Sequence, residues 1–307
     1  MALKDIKTKI KATERTHKVT RAMEAVSAVK MRKTQSAALA GRPYARAALS
    51  ILARFSGSSE LSSHPLVQFG TQRVLNDKKI AVVVITSDKG LAGALNSGVI
   101  KAVVESIAPY PVDTVTLYAY GKKGQEYFAR RAYTIAQSFE NRQDVINLSV
   151  MEELASKLSK GFAEGNYDEV LVAYSNFKST FEQMPTVRRL LPLSLTGIEQ
   201  LVKDIVPVKG KWSETRSLES PVAYKVEPSE SQLLEVLLPR LVADSLYHFL
   251  LEAKASEHSA RMVAMKNASD KSKEVAHDLK RLFNKIRQSN ITREVSEIVG
   301  GREVLKI

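Results

Sequence analysis

The feature that most constrains the fold is a long stretch near the C-terminus that contains no helix breaker. From Pro239 to Val299 the sequence has neither glycine nor a second proline. Pro239 suits the first turn of a helix, and Gly300 with Gly301 is typical of a helix end. A helix of these 61 residues would be about 90 Å long. We therefore expect its last part, NKIRQSNITREVSEIVGG at 284–301, to lie far outside any ordinary domain.

A second long helix is predicted at the N-terminus. Residues 3–40 contain no proline or glycine and are rich in alanine, lysine, arginine and methionine, which favour helix. Gly41 and Pro43 indicate a kink or break, after which the helical pattern continues to Phe55. We predict an N-terminal rod helix at 1–56.

The C-terminal rod helix is placed at 231–307, and the two rod helices are expected to pair as an antiparallel coiled coil, because helices of this length are unstable alone. In the N-terminal helix the apolar positions that recur at spacings of three and four are Leu3, Ile6, Ile10, Val19, Met23 and Val26. Continuing the heptad from Ile10 meets the residues Thr13, His17, Thr20, Glu24 and Ser27. Such a seam predicts weak pairing.

Three apolar stripes follow one another along the C-terminal helix. The first is Leu246, Phe249, Leu250 and Ala253; the second is Val275, Leu279, Leu282 and Ile286; the third is Ile291, Val295 and Ile298. Between the second and third stripes the phase slips by two residues, so the coiled coil is imperfect. The slip marks the point where we expect the helix to leave its partner and continue alone.

Between the rods, strands alternate with helices. A buried strand is predicted at 78–88 and further strands at 113–121, 133–139 and 167–179, with helices at 97–108, 122–132 and 149–165. This alternation favours a parallel, doubly wound sheet, and residues 179–194 suit an antiparallel extension. The prediction is an inserted Rossmann-like α/β domain at 75–195, followed by a connector at 196–230 that contains Pro207, Gly210 and Pro221.

Composition excludes several classes of site. The chain has no cysteine, which rules out disulfides, thiolate metal sites and cysteine nucleophiles. Its five histidines show no HExxH pattern or close ligand pair, and no paired-carboxylate or Ser/His/Asp set stands out, so we expect no metal, no cofactor and no catalytic residue. No run of about 18 apolar residues is present to span a bilayer, and the Lys-rich N-terminus is interpreted as mature protein.

The net charge of +13 is concentrated at the two ends. Residues 1–33 carry +7, residues 252–302 carry +4, and the remainder carries +2. Two basic ends indicate an acidic partner, although a solvated lysine face would have the same composition. A nucleic acid is a competing partner, but acids are interleaved with the basic residues and no aromatic stacking set accompanies them. Salt-dependent DNA binding would favour that alternative.

The segment SDKGLAGALN at 87–96 is the strongest indication of an enzyme. Glycines between a strand and a helix can cradle phosphate, yet Gly90 and Gly93 form GxxG and not GxGxxG, and no GK[ST] follows. Lys89 with Asp88 could bind an anion, but nothing nearby in the sequence supplies a base or nucleophile with a recognisable partner. A tight turn with close helix–strand packing explains the same residues. Tight binding of ATP, ADP or NAD to the α/β domain would favour the enzyme.

Four blocks of sequence, in order, resemble the gamma subunits of F-type ATP synthases. They are KVTRAMEAVSAVKMRKTQ at 18–35, ITSDKGLAGALN at 85–96, SEHSARMVAMKNASDKSKEV at 256–275 and NITREVSEIVGG at 290–301. The resemblance implies a non-catalytic central rotor shaft that couples proton-driven rotation of a membrane ring to ATP synthesis, or hydrolysis in reverse, and that helps regulate ATPase activity and proton flow. Catalytic sites would lie on the beta subunits.

The partners that the resemblance implies are a hexamer of alternating alpha and beta subunits, an epsilon subunit and the membrane c-ring, with one copy of this chain per complex and no nucleic acid. The chain would be peripheral, at the cytoplasmic face of a bacterial membrane, without inserting into the bilayer. Residues matching the family's contact regions are Arg21, Met23, Lys30, Arg32, Arg287, Gln288 and Thr292. The apolar tip, which would turn in a collar of the hexamer, comprises Ile291, Val295, Ile298 and Val299.

Overall fold

The computed structural model describes residues 3–40, 51, 55, 58–68, 77–141, 148–194 and 229–304. The helices are α1 (Leu3–Ala40), α2 (Ser59–Ser63), α3 (Leu95–Ile107), α4 (Lys122–Ala129), α5 (Leu148–Ala163) and α6 (Glu230–Val304), with a 3-10 turn at Val112–Thr114. The strands are β1 (Ile80–Ile85), β2 (Val115–Tyr120), β3 (Thr134–Phe139), β4 (Glu169–Phe177) and β5 (Gln183–Leu191). The fold is thus mixed α/β with a very long C-terminal helix.

The chain divides into two compact units. The helical unit comprises Met1–Ala28 and Arg261–Ile307, and the sheet unit comprises Val29–Ala260. Helices α1 and α6 contribute to both units. The predicted connector falls almost wholly outside the described residues, as does most of the predicted helical continuation from 41 to 55.

The sheet unit is built on five strands in the order β3-β2-β1-β4-β5. Strands β1 to β4 are parallel, and β5 runs antiparallel to β4, as the sequence predicted. All six residues of β1 are buried. A strand buried on both faces has no polar side to alternate with, and this explains the unbroken run IAVVVI.

Alternate residues of the strands face two separate cores. Val82 and Val84 belong to a cluster with Val99 and Val103 of α3 and Phe128 of α4. Residues of opposite parity in β1 join the second cluster, which includes the following members of α5 and α6: Leu154, Leu158, Leu238, Val242, Leu246, Phe249 and Leu250. Helices therefore cover both faces of the sheet.

Pro239 does not lie in the first turn of the long helix. We predicted Pro239 in the first turn, but α6 starts at Glu230 and contains Pro239 in its interior. The first turn is instead capped by Ser229, whose Oγ accepts a hydrogen bond from the Gln232 amide at 3.3 Å. Buried Leu234 and Leu238, in the turns around the proline, pack in the sheet unit and offset the hydrogen bond that proline cannot donate.

The predicted end of the same helix is also wrong. Gly300 and Gly301 were expected to stop it, but α6 continues to Val304. Gly300 does not have the positive φ that a glycine cap requires. Glycine weakens a helix without ending it when the chain does not turn there.

In the helical unit, α1 and α6 contact each other through long-range polar bonds. The Lys280 ammonium lies 2.6 Å from the Glu14 carboxylate, and His17 Nδ1 lies 3.0 Å from the backbone and side-chain oxygens of Ser269. The buried residues of this unit in α1 are Ile6, Ile10, Thr20 and Ser27. Thr20 and Ser27 are two of the polar heptad positions that continue from Ile10.

Two of the recurring apolar positions of α1 point outward. Val19 is 58% exposed and Val26 is 54% exposed, whereas Thr20 and Ser27 beside them are buried. The heptad spacing, and not the hydrophobicity of the side chains, therefore identifies the inward face of α1. Small hydroxyl residues are accommodated there because they permit close approach of two helices. Similarly, Leu282 of the second α6 stripe is 42% exposed, and its neighbour Phe283 is the half-buried residue.

Candidate partner interface

The C-terminal part of α6 exposes a group of apolar side chains. Every residue from Ile291 to Gly300 is exposed. The four tip residues have exposed fractions of 51% for Ile291, 53% for Val295, 72% for Ile298 and 54% for Val299. Large apolar side chains exposed at helical spacing are typical of a contact with another molecule.

The tip residues and part of the predicted contact block share one face of the helix. Gln288, Thr292, Val295 and Val299 follow each other at intervals of three and four residues, and Gln288 and Thr292 are exposed. The Thr292 hydroxyl donates to the Gln288 carbonyl at 3.0 Å. This bond holds the threonine against its own helix and leaves its methyl group outward.

The N-terminal contact block is divided between the two units. In the helical unit Arg21 is exposed and Met23 half-buried. In the sheet unit Lys30 is half-buried and Arg32 exposed. All four lie on α1.

Two large apolar residues of the helical unit face outward, and the sequence analysis did not identify them as surface positions. Val19 and Val26 were named there only as recurring apolar positions, and both are exposed on α1 among basic residues such as Lys18 and Arg21. The signal that locates them is the heptad register from Ile6 and Ile10, because it assigns the inward positions to neighbouring residues.

Charge in the helical unit is partly paired. The hydrogen bond that Lys280 donates to Glu14 lowers the pKa of the Glu14 carboxyl below its ordinary value, and the positive charge of Lys280 lowers it further. Lys271 contacts Glu274 at 2.8 Å, and Arg293 lies 3.6 Å from Glu297. Since these pairs are exposed, each contributes little stability. Their main effect is on the electrostatic potential that a partner meets.

Helix α6 also has a buried polar segment in the sheet unit, which the sequence analysis did not identify. The residues with exposed fractions of 7% or less are Glu252, Lys254, Ser256, Glu257, His258 and Ser259. Ser256 Oγ donates to the Ser175 carbonyl of β4 at 2.8 Å, and Ser259 Oγ donates to the Thr180 carbonyl at 2.6 Å. Directional bonds thus fix the rotation of α6 about its axis relative to β4.

A tyrosine connects this part of α6 to the sheet. Tyr174 of β4 packs its ring 4.7 Å from that of Phe249 and shares hydrogen bonds with Glu252 and Arg188. Burial raises the pKa of Tyr174 well above its ordinary value, the Glu252 carboxylate raises it further, and Arg188 opposes the shift. The phenol therefore remains protonated. His248 lies 3.0 Å from Glu252 on the same helix.

Removing this hydroxyl tests the attachment of the helix. We expect Tyr174→Phe to lower the free energy of unfolding by about 1.5–3 kcal/mol, because the lost hydrogen bonds involve charged groups. The matched control is Tyr118→Phe, whose hydroxyl bonds only a neutral phenol in Tyr167 at 2.9 Å, with an expected cost of about 0.5–1.5 kcal/mol. Urea unfolding of the full chain measures both. Equal losses would contradict the role given to the charged partners.

The glycine-containing segment at 87–96 is a structural turn. The two carboxylate oxygens of Asp88 accept backbone N–H bonds from Lys122 and Asn141, each at 2.9 Å. Ser87 and Asn96 bond each other across the loop, with Asn96 Nδ2 2.8 Å from Ser87 Oγ. The carboxylate therefore joins the ends of three strands and does not point at an open phosphate cradle.

Two further findings bear on chemistry. Across the described ranges, no group of three His, Asp or Glu side chains is placed to hold a metal ion. None of the helices in those ranges combines the length and apolar character needed to cross a membrane.

Comparison with known families agrees with the sequence resemblance. The family model described as ATP synthase matches residues 2–305. An ATP synthase gamma chain from Pelotomaculum thermopropionicum is 37% identical over 305 residues, which covers 99% of each chain. A gamma chain from Staphylococcus saprophyticus is 36% identical over 307 residues, again covering 99% of each.

Solved structures agree at the level of fold. A chain of the central stalk and c-ring of the Tetrahymena thermophila mitochondrial ATP synthase aligns with a TM-score of 0.56 and 27% identity, over 82% of this chain and 99% of that one. A chain of the Euglena gracilis mitochondrial ATP synthase, at 17% identity, aligns with a TM-score of 0.63 over 99% and 94% of the two chains. At that identity the likeness concerns the fold alone.

Proposed function

Because this chain belongs to the ATP synthase gamma chain family, we propose that it is the central rotor shaft of an F-type ATP synthase. It couples proton-driven rotation to ATP synthesis and, in the reverse direction, turns as ATP is hydrolysed. The observation that carries the proposal is the full-length family match, together with a 75-residue helix whose last turns expose four large apolar side chains.

The chain is not an enzyme by itself. Its partners are the hexamer of alternating alpha and beta subunits, whose beta subunits contain the catalytic sites, together with epsilon and the membrane c-ring. It needs no cofactor of its own. The proposed location is the cytoplasmic face of a bacterial membrane, as a peripheral part of the complex.

The apolar tip acts as a bearing. In the proposal Ile291, Val295, Ile298 and Val299 turn inside an apolar collar at the top of the hexamer. Apolar contacts are non-directional, so they exclude water in every rotational position without favouring one of them strongly. Hydrogen bonds or buried ion pairs at the tip would instead hold particular angles.

Below the tip the shaft offers polar and basic contacts. Arg287, Gln288 and Thr292 engage a beta-subunit loop from inside, and the α1 block of Arg21, Met23, Lys30 and Arg32 meets acidic loops of the beta subunits. The charge of the two chain ends, +7 over 1–33 and +4 over 252–302, supports an acidic counterpart. Screened contacts of this kind are individually weak, which suits a surface that must release at each step.

The shaft itself is proposed to be an antiparallel coiled coil of the two rod helices. Support comes from the heptad placement of buried residues in α1 and from the contacts Glu14–Lys280 and His17–Ser269. The helix is single beyond the pairing region, since every side chain from Ile291 to Gly300 is exposed.

Rotation follows from a mismatch of symmetry. Three catalytic sites surround one shaft that has no three-fold symmetry, so each site contacts a different face and is biased toward a different nucleotide state. Turning the shaft exchanges these biases among the sites. Binding free energy at the sites is thereby converted into rotation, or the reverse.

The direct test is reconstitution with alpha and beta subunits. We expect the chain to co-purify with them in a single copy per hexamer and to increase ATPase activity above that of the two subunits alone. A hexamer that forms and turns over equally well without the chain would contradict the proposal.

A finer test addresses the beta-loop contact. Arg287→Ala with Gln288→Ala is expected to reduce coupled activity or hexamer affinity by roughly two- to thirtyfold, since two exposed polar contacts of about 0.2–1 kcal/mol each are lost. Both residues are exposed, so the unfolding transition of the isolated chain should not change. The control is Lys285→Ala with Ser289→Ala, two exposed neighbours outside the contact block. Unchanged assembly and ATPase activity in the first variant would count against the contact.

A further inference from the structure

The face of α1 that packs against α6 in the helical unit has few large side chains that could fix how the two helices align. Its apolar residues Ile6 and Ile10 lie near the start, and the next buried residues are Thr20 and Ser27. On α6 the buried residues of the unit are Arg261, Met265, Ser269 and Ala276. Met265 is the one large apolar side chain among them and it is flexible, so packing by itself defines the alignment weakly.

The hydroxyl groups on this face do not define the alignment either. Thr20 Oγ1 donates to the Thr16 carbonyl at 2.9 Å, and Ser27 Oγ donates to the Met23 carbonyl at 2.7 Å. Both bonds lie within α1 and would be unchanged by a slip along α6. Such back-bonding satisfies the hydroxyls without selecting a partner residue.

His17 differs because it bonds across the pair at a half-buried position. The other bond across the pair, between Lys280 and Glu14, is an exposed ion pair of two long side chains and contributes little. His17 Nδ1 lies 3.0 Å from the Ser269 carbonyl oxygen and 3.0 Å from Ser269 Oγ. An imidazole N–H can donate to either oxygen. The bond depends on having this residue opposite the ring.

We propose that the contact between His17 and Ser269 is a register key, a polar pair that fixes the longitudinal alignment of α1 and α6. A slip of seven residues in one direction places Met262 opposite His17, where a long side chain covers the backbone carbonyl. The opposite slip offers Ala276, which has no hydroxyl, and it brings Glu24 onto Ser269. Each alternative loses part of the bond, whereas the observed alignment keeps it. One polar residue at an inward position sets register in this way at a cost in stability.

The key makes a prediction that a purely stabilising contact does not. Replacing His17 with leucine should leave thermal stability equal or higher, since an apolar residue suits the inward position. It should also make the alignment heterogeneous. The ratio of native to displaced register is expected to fall about tenfold, the factor for loss of one partly buried hydrogen bond.

Alignment can be measured by double electron–electron resonance on the full-length chain. The chain has no cysteine, so Lys4→Cys and Lys266→Cys, both at exposed positions, take spin labels selectively. The labels lie on the two different helices of the helical unit, so the separation between them along the axis depends on the alignment. A heptad slip changes that separation by about 10 Å.

The labelled parent should give one distance, and His17→Leu should add a population displaced by about 10 Å. His17→Asn, whose amide can still donate to Ser269, should restore the single distance. His277→Leu removes an exposed histidine of the same unit and should change nothing. His17→Thr matches residues already on this face and replaces the leucine variant if that chain does not fold. A single unshifted distance in the folded His17→Leu variant, or in His17→Thr where it replaces the leucine variant, would overturn the proposal, whatever the outcome of reconstitution with alpha and beta subunits.

Discussion

Replacing Val295 and Ile298 together with aspartate is expected to reduce coupled ATP synthesis by more than about tenfold. The reason is desolvation, because an ionised carboxylate moved from water into an apolar collar loses far more free energy than it regains there. Both side chains are exposed in the chain, at 53% and 72%. The variant should therefore fold normally and fail only in the assembled complex. The measurement is proton-driven ATP synthesis by the reconstituted complex, with thermal unfolding of the isolated chain beside it.

The matched control places the same two charges elsewhere on the tip. Ser289→Asp with Ser296→Asp adds two carboxylates at exposed polar positions of the same helix, and its effect should be much smaller. If both double variants lose activity equally, the cause is net charge and not burial of the apolar face. Full activity in the Val295 and Ile298 variant would show that these residues do not turn in an apolar collar.

Gly121→Ala is expected to destabilise the sheet unit by about 3–5 kcal/mol, which is unusually large for the addition of one methyl group. Gly121 follows β2 with φ at +101°, and a Cβ there would overlap the Thr86 carbonyl oxygen. The backbone cannot move away easily, because the Gly121 amide bonds the Phe139 carbonyl at 2.8 Å and the Thr86 amide bonds the Tyr120 carbonyl at 2.8 Å. The variant should unfold at a lower urea concentration.

Gly165→Ala separates backbone strain from steric overlap. Gly165 also has a positive φ, at +74°, but a Cβ would meet nothing within 4 Å. Its expected cost is about 1–2 kcal/mol, the penalty of a left-handed conformation alone. Urea unfolding followed by circular dichroism compares the two variants. Equal costs would mean that the contact with Thr86 is relieved by local movement.

The sheet could be predicted well because its signals are local and mutually consistent. The run IAVVVI has no polar alternation, and such a strand is stable only with both faces covered. For the glycine-containing turn after it, the sequence analysis left a structural turn and a phosphate-binding loop open. What could not be predicted was that Asp88 joins the turn to Lys122 and Asn141. Those residues are remote in sequence and become neighbours only when the strands align.

For the exposed tip, the sequence predicts the apolar positions but not the partner contacts. Its apolar spacing and its place at the end of a long helix were visible in the sequence, and the exposed fractions are a property of the folded chain. The individual partner contacts of Arg287, Gln288 and Thr292 stay predictions, because they depend on surfaces that belong to other chains.

The sequence by itself determined the kind and order of the elements. Absence of helix breakers over 3–40 and 240–299 required long helices, and alternation of strands with helices required a covered parallel sheet. Tertiary structure decided which face of α1 turns inward and where α6 begins. Val19 and Thr20 are adjacent on the same helix, and propensity treats either face as possible. Only the position of α6, fixed in part by the His17–Ser269 contact, buries the threonine and leaves the valine in solvent.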